Sequence, residues 1–173
     1  MIRFMGAFDS AKDLPRHPSV REYAFAGRSN VGKSSLINAL AGEKIAKVSN
    51  TPGRTRTLNL FNWDDRIWLM DLPGYGYARV SKADQVAWLR RLEDYLSSRA
   101  ELKKLFILID SRVGAKDADE IIIDFCKSEN IPFQIVYTKC DKRGSGFVVR
   151  GSCGVVTSAV KKTGIDEVRK LMK

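Results

Sequence analysis

The 173-residue chain carries 30 Lys and Arg against 20 Asp and Glu, a formal net charge of +10, and 44% of it is hydrophobic. That is one domain's length with apolar content enough for a core, which argues against a disordered chain and against any need for a disulfide or metal staple. The excess positive charge leaves three readings open: a nucleic-acid partner, an anionic membrane surface, or a merely solvated basic face.

Residues 1–20 read as an N-terminal extension and residues 21–173 as a single domain. The extension holds the one histidine, His17, in the Pro-flanked stretch LPRHPS, so no His cluster exists for metal or triad chemistry. Its start, MIRFMGAFDSAKD, lacks the apolar core of a signal peptide. Short apolar runs then alternate with segments of helical period, predicting an α/β fold built from βα units around a mostly parallel six-stranded sheet with one antiparallel edge strand and helices on both faces. The first strand is predicted at Tyr23 to Ala26 and the first helix at Lys33 to Ala41. Glu43 to Thr57, with Gly, Pro and Ser/Thr but no periodicity, reads as a long loop, of a length that in a compact domain is usually functional or mobile. LNLFNW and RIWLMD, at Leu58 to Trp63 and Arg66 to Asp71, are joined by Asp64 and Asp65 and predict a tight antiparallel hairpin. A helix over Ser81 to Ser98 presents Val86, Leu89, Leu92 and Leu96 to the core. Next come a strand at Leu105 to Asp110, a helix at Ala115 to Ser128, strands at Phe133 to Thr138 and Gly154 to Thr157, and a helix from Gly164 to the end. No apolar run approaches the roughly 20 residues of a bilayer-spanning helix, and Cys126, Cys140 and Cys153 are too few and too scattered for a disulfide framework. A soluble protein of the reducing cytoplasm is expected.

Chemistry is concentrated at three places. Gly27, Arg28, Ser29, Asn30, Val31, Gly32, Lys33 and Ser34 form a complete G-x-x-x-x-G-K-[ST] loop between a strand and a helix, which is the context of a phosphate-binding loop. Glycines let the backbone turn its N–H groups inward, Lys33 reaches β- and γ-phosphates, and Ser34, followed by Ser35, offers a hydroxyl to Mg²⁺. Asp71, Leu72, Pro73 and Gly74 end the strand RIWLMD. There a carboxylate can hold Mg²⁺ and the Gly74 N–H can meet a γ-phosphate. Thr138, Lys139, Cys140 and Asp141, with Thr157, Ser158 and Ala159 further on, suit a purine base. An Asp accepts two parallel hydrogen bonds from the guanine edge, which adenine cannot supply, while the Lys139 stem lies along the base.

Together GRSNVGKSSLIN, TPGRTRTLN, DLPGYGYA and TKCDK resemble the EngB (YihA/YsxC) family of bacterial ribosome-biogenesis GTPases, across nearly the whole chain. The resemblance implies a P-loop NTPase fold with a Ras-like G domain, GTP or GDP as bound nucleotide, and Mg²⁺ held by Ser34, Thr55 and Asp71. It implies a switch loop around Thr51 to Thr55 that includes Gly53 and Arg54, a second switch from Asp71, and catalysis drawing on Lys33, Thr55 and Gly74. A monomer acting in maturation of the large ribosomal subunit, on its rRNA and proteins, with a link to cell division and septation, is the expected role. The 16 residues between Asp141 and Ser158 are fewer than family members usually carry.

Where Ras-like switches place a water-orienting glutamine, this chain has Tyr75, which predicts slow intrinsic turnover. Asn30 resembles the asparagine with which related GTPases hold a potassium ion. Arg54 and Arg56 suit either an arginine finger or an RNA contact, and with Tyr75, Tyr77, Arg79 and Lys82 they make a basic, aromatic surface suited to rRNA. Two alternatives stay open: a P-loop small-molecule kinase, which leaves TKCDK unexplained, and a GTPase of tRNA modification or metal transport, which normally carries extra domains.

Overall fold

The computed structural model describes residues 1–47, 57–76, 81–142 and 154–172. At its centre lies β2 (Arg21–Gly27), buried at every position after Arg21, as a strand covered on both faces must be. β4 (Ile67–Asp71) and β5 (Leu102–Asp110) flank it in parallel. β6 (Phe133–Thr138) and the two-residue β7 (Val155–Val156) continue in parallel beyond β5. On the other side β3 (Leu58–Trp63) runs antiparallel to β4. Asp64, Asp65 and Arg66 connect them, one residue more than the two expected because Trp63 pairs with Ile67; Asp64 and Asp65 take φ of 51° and 57°, the positive φ on which tight hairpin turns are built.

Among the described residues the sheet has seven strands, in the order β1-β3-β4-β2-β5-β6-β7, one more than the six expected. The additional strand, β1 (Ile2–Phe8), comes from the stretch read as an extension and pairs antiparallel with β3, so β3 sits one place in from the edge. Only Ile2 of β1 is buried, so the strand carries almost no period-two signal to be read in advance.

Alternation along the central strands sorts the core into two layers. Ala24, Ala26, Met70 and Ile107 face α2 (Lys82–Ser98) and α3 (Asp117–Ser128), meeting Leu92, Leu96, Ile122 and Cys126. Tyr23, Phe25, Leu69 and Phe106 face α1 (Lys33–Ala41) and α4 (Ile165–Lys170), meeting Leu36, Ile37, Leu40 and Val168. Phe25 stacks on Phe106 with ring centroids 5.1 Å apart. Each such side chain contributes about 1.5–3 kcal/mol on burial. Burial pushes the Cys126 thiol up to about 11, which makes it an inert core residue.

The inward face of α2 differs from the expected one. Leu92 and Leu96 are buried, but Val86 is 49% exposed, and the face continues through Tyr95 to Arg99. These two polar residues turn inward to Glu22, a fully buried carboxylate on β2. The Tyr95 hydroxyl and Arg99 Nε, the latter at 3.2 Å, donate to Glu22 Oε1, while Arg99 Nη2 donates to Oε2 and Nη1 to the Pro15 carbonyl at 3.0 Å. The buried side of α2 and its C-terminal end thus runs through Leu92, Tyr95 and Leu96 to Arg99 and leaves Val86 outside it. Arg99→Met leaves the Glu22 carboxylate buried and unpaired and should lower stability by about 3–5 kcal/mol, read from the urea midpoint at unchanged slope. Adding Glu22→Met should recover much of that loss; a loss within measurement error for Arg99→Met alone would show that the pair contributes nothing.

Candidate functional site

β4, β2, β5 and β6 are parallel and bring their carboxyl ends to one edge of the sheet, where the chain leaves β2 toward one side and returns through β5 on the other. Open parallel sheets bind ligands at such a point. Here β2 ends at Gly27, and Arg28, Ser29, Asn30, Val31 and Gly32 form the loop into α1, which opens with Lys33, Ser34 and Ser35. Gly32 adopts φ of +105°, a turn that brings loop N–H groups to one side and that a side chain would strain.

Lys33 forms an ion pair with Asp71 at the end of β4, and both side chains are at least nine-tenths shielded from solvent. Beyond Asp71, the segment Leu72, Pro73, Gly74 and Tyr75 runs beside the phosphate loop. The Leu72 N–H donates to the Phe25 carbonyl at 3.1 Å, the Tyr75 N–H to Gly27 at 3.3 Å, and the Ser29 N–H to the Tyr75 carbonyl at 2.9 Å.

The third group adjoins the first. Thr138 Oγ1 donates to the Val31 carbonyl at 2.6 Å, and Lys139 Nζ donates to the Asn30 carbonyl. The segment after β6 is thus tied to the phosphate loop at two consecutive carbonyls. The Cys140 N–H donates to the Thr157 carbonyl at 3.1 Å, and Ser158 Oγ donates to Asp141 Oδ1 at 2.6 Å while accepting from the Lys161 N–H at 3.0 Å. The Ser158 hydrogen bond holds the Asp141 carboxyl below its ordinary range, so the group is ionised and purely an acceptor at neutral pH. A cleft lined by Gly32, Ser35, Thr138, Lys139, Asp141 and Ala159 opens between these segments.

The three motifs therefore lie together, while Gly53, Arg54 and Thr55 fall outside the described residues, as do Thr51, Arg56, Tyr77, Arg79 and the Lys82 side chain. Tyr75 departs from expectation. It is 5% exposed, its ring packs on Trp88 with centroids 4.8 Å apart, and its hydroxyl donates to Asp119 at 2.6 Å, so it offers no stacking surface to RNA. Its raised pKa, due first to burial and then to Asp119, keeps the hydroxyl protonated.

Two contributors were not anticipated. Asp110, at the end of β5, accepts from Lys139 Nζ at 2.9 Å and from Arg112 Nε and Nη2 at 2.9 and 2.7 Å. Burial alone would raise its pKa, but these hydrogen bonds outweigh burial and hold it well below the carboxylate range. Its signal was the place it occupies, a carboxylate ending a parallel strand as Asp71 does. Asn38, in α1, accepts from the Ile45 and Ala46 N–H groups at 2.9 and 2.7 Å and donates to the Ala46 carbonyl at 2.9 Å, pinning the chain as it leaves the helix.

Comparison with known proteins accords with this geometry. A family described as 50S ribosome-binding GTPase matches residues 22–139, from β2 through Lys139. The probable GTP-binding protein EngB of Aquifex aeolicus is 42% identical over 150 residues, 86% of this chain and 80% of that protein. The chain belongs to the EngB family. Its EngB relative from Thermotoga petrophila is 52% identical over 125 residues, which are 72% of this chain and 64% of the relative; the chain spans somewhat under two thirds of that protein's length. A crystal structure of a probable EngB shares the fold, with a TM-score of 0.69 over 86% of this chain and 95% of that one at 23% identity. An Aquifex aeolicus Era variant bound to GDP and AlF₄⁻ matches with a TM-score of 0.68 and 28% identity, over 88% of this chain and 56% of Era.

Because the Asp110 carboxyl is depressed in the fold, its contribution to stability is present above the ordinary value of 3.8 and fades as pH falls through the depressed value. Asp110→Asn should therefore lower Tm at pH 7, with the gap to the parent narrowing on acidification below about pH 4. A gap independent of pH would show that the carboxylate's charge does not matter.

Proposed function

We propose that this EngB-family chain binds GTP and GDP with Mg²⁺ and hydrolyses GTP slowly, as a cytoplasmic, monomeric switch in assembly of the large ribosomal subunit. The observation that carries the reading is the ionised Asp141, oriented by Ser158 and joined through Thr138 and Lys139 to the phosphate loop. Such a carboxylate accepts both donors of the guanine edge, whereas adenine would leave it unpaired. A small-molecule kinase has no use for this arrangement.

In this reading Lys33 leaves Asp71 to meet the β- and γ-phosphates, and the loop N–H groups and the start of α1 face the same charge. Ser34 and Asp71 are hard oxygen donors of the kind Mg²⁺ takes, with Thr55 as the third residue assigned to it. The bound cation would neutralise charge developing on the phosphates. Tyr75 occupies the place of the water-orienting glutamine but has its side chain buried against Trp88 and Asp119. It supplies no group to the attacking water, and slow turnover follows. Asn30 is assigned to a potassium ion beside the phosphates. Hydrolysis should then run faster in potassium than in sodium buffer, and equal rates would remove that assignment.

Two features support a ribosomal partner: the description of the matching family as 50S ribosome-binding and the net charge of +10. Among the described residues no helix is long and apolar enough to cross a membrane. The link to septation rests on the family resemblance.

Cosedimentation with large-subunit precursors should be stronger with a GTP analogue than with GDP and should weaken as salt rises, because phosphate contacts release counterions. Binding insensitive to both nucleotide and salt would contradict the switch. Asp141→Asn should shift nucleotide preference from guanine to xanthine; undiminished GTP preference would refute the base assignment.

A further inference from the structure

We propose that Trp88 and Asp119 are positioning residues for the Gly74 N–H, fixing its direction toward the γ-phosphate side of the loop. This rests on the nucleotide reading above and adds to it the groups that make the site sense a third phosphate.

The argument starts from the peptide unit between Pro73 and Gly74. Among the described residues there is no cis peptide, and in a planar trans unit the C=O and the N–H point in opposite directions. Trp88 Nε1 donates to the Pro73 carbonyl at 3.1 Å. A carbonyl turned toward Trp88 on α2 sends the Gly74 N–H the opposite way, away from α2. Gly74 is close against the phosphate loop: a Cβ there would stand 3.2 Å from Ser29 Oγ and 3.3 Å from the Ser29 Cα and N. Trp88 thus orients this N–H from the carbonyl side of the same peptide.

Asp119 holds the next residue. It is 1% exposed, at the start of α3, where Oδ2 accepts from the Lys116 N–H at 2.9 Å and closes the helix's first turn. Oδ1 accepts from the Tyr75 hydroxyl at 2.6 Å. The Tyr75 ring lies on Trp88, and its backbone is bonded on both sides to Gly27 and Ser29. Gly74 is therefore held from Pro73 by α2 and from Tyr75 by α3. The apolar burial of Tyr75 would hold the ring alone; the hydroxyl adds the register along α3.

A diphosphate does not reach this N–H, so the network should discriminate triphosphate from diphosphate and nothing else. The test uses Trp88→Phe, which keeps a ring against Tyr75 but loses the donor, and Tyr75→Phe, which deletes one oxygen. Affinities for GDP and for a non-hydrolysable GTP analogue are measured at equal Mg²⁺. Each variant should bind the analogue about 3- to 10-fold more weakly, the worth of one hydrogen bond, with GDP affinity unchanged within about 2-fold. Parallel losses for both ligands, or a loss for neither, would overturn the proposal. If Trp88→Phe melts early, Tyr75→Phe carries the same comparison. Wild-type protein that preferred ATP would refute the base assignment alone, because an ATP analogue against ADP then reads the same difference.

Discussion

The arrangement of this protein depends on one constraint: β2 is buried on both faces and runs parallel to both neighbours. A strand so placed can meet polar surroundings only at its ends, so the chain's polar chemistry collects there. At the carboxyl end lie the phosphate loop, Asp71 from β4, Asp110 from β5 and Thr138 from β6. At the amino end lies Glu22 with Tyr95 and Arg99. The two ends solve the same problem differently. Glu22 is permanently matched by an arginine with no exposed side-chain surface, whereas the carboxyl-end groups are matched by one another and border a cleft.

Those carboxyl-end matches explain why the base segment and the phosphate loop behave as one unit. Thr138 and Lys139 grip the carbonyls of Val31 and Asn30, and Asp110 grips Lys139 in turn. Hydrogen bonds from charged groups are stronger than neutral ones, so the two half-sites are held together by the backbone ladders through β5 on one side and by the Thr138 and Lys139 side-chain bonds on the other. Asn38 does the same for the start of the long loop after α1.

Much of this was legible in the amino-acid sequence, for reasons that differ by residue. The phosphate loop and DLPG were readable because their chemistry needs particular residue types at fixed local spacing. The placement of TKCD beside the phosphate loop was legible from its order after the other two motifs, which weakens the reading of an ordinary turn. β1 was not, since an edge strand with one buried side chain leaves no alternation to detect. Val86 is exposed while the buried face of α2 continues to Arg99, whose partner Glu22 lies 77 residues earlier on β2, and no local period records that pairing. Tyr75 looked like surface chemistry and is core, since the tyrosine hydroxyl finds its partner 44 residues away at Asp119. Asp110 was hidden for the same reason: its value lies in partners brought by other strands.

The Lys33–Asp71 pair has a consequence for the order in which ligands arrive. With both side chains out of solvent, neither tolerates losing its partner without replacement. In the nucleotide reading, a phosphate arriving alone would engage Lys33 and abandon Asp71, and a cation arriving alone would do the reverse. Only a ligand that brings both signs of charge at once leaves no bare ion behind. If Lys33 takes the phosphates and Asp71 the cation, as proposed above, the pair would favour joint occupancy, and by linkage each half of such a ligand would raise the affinity for the other by the same factor.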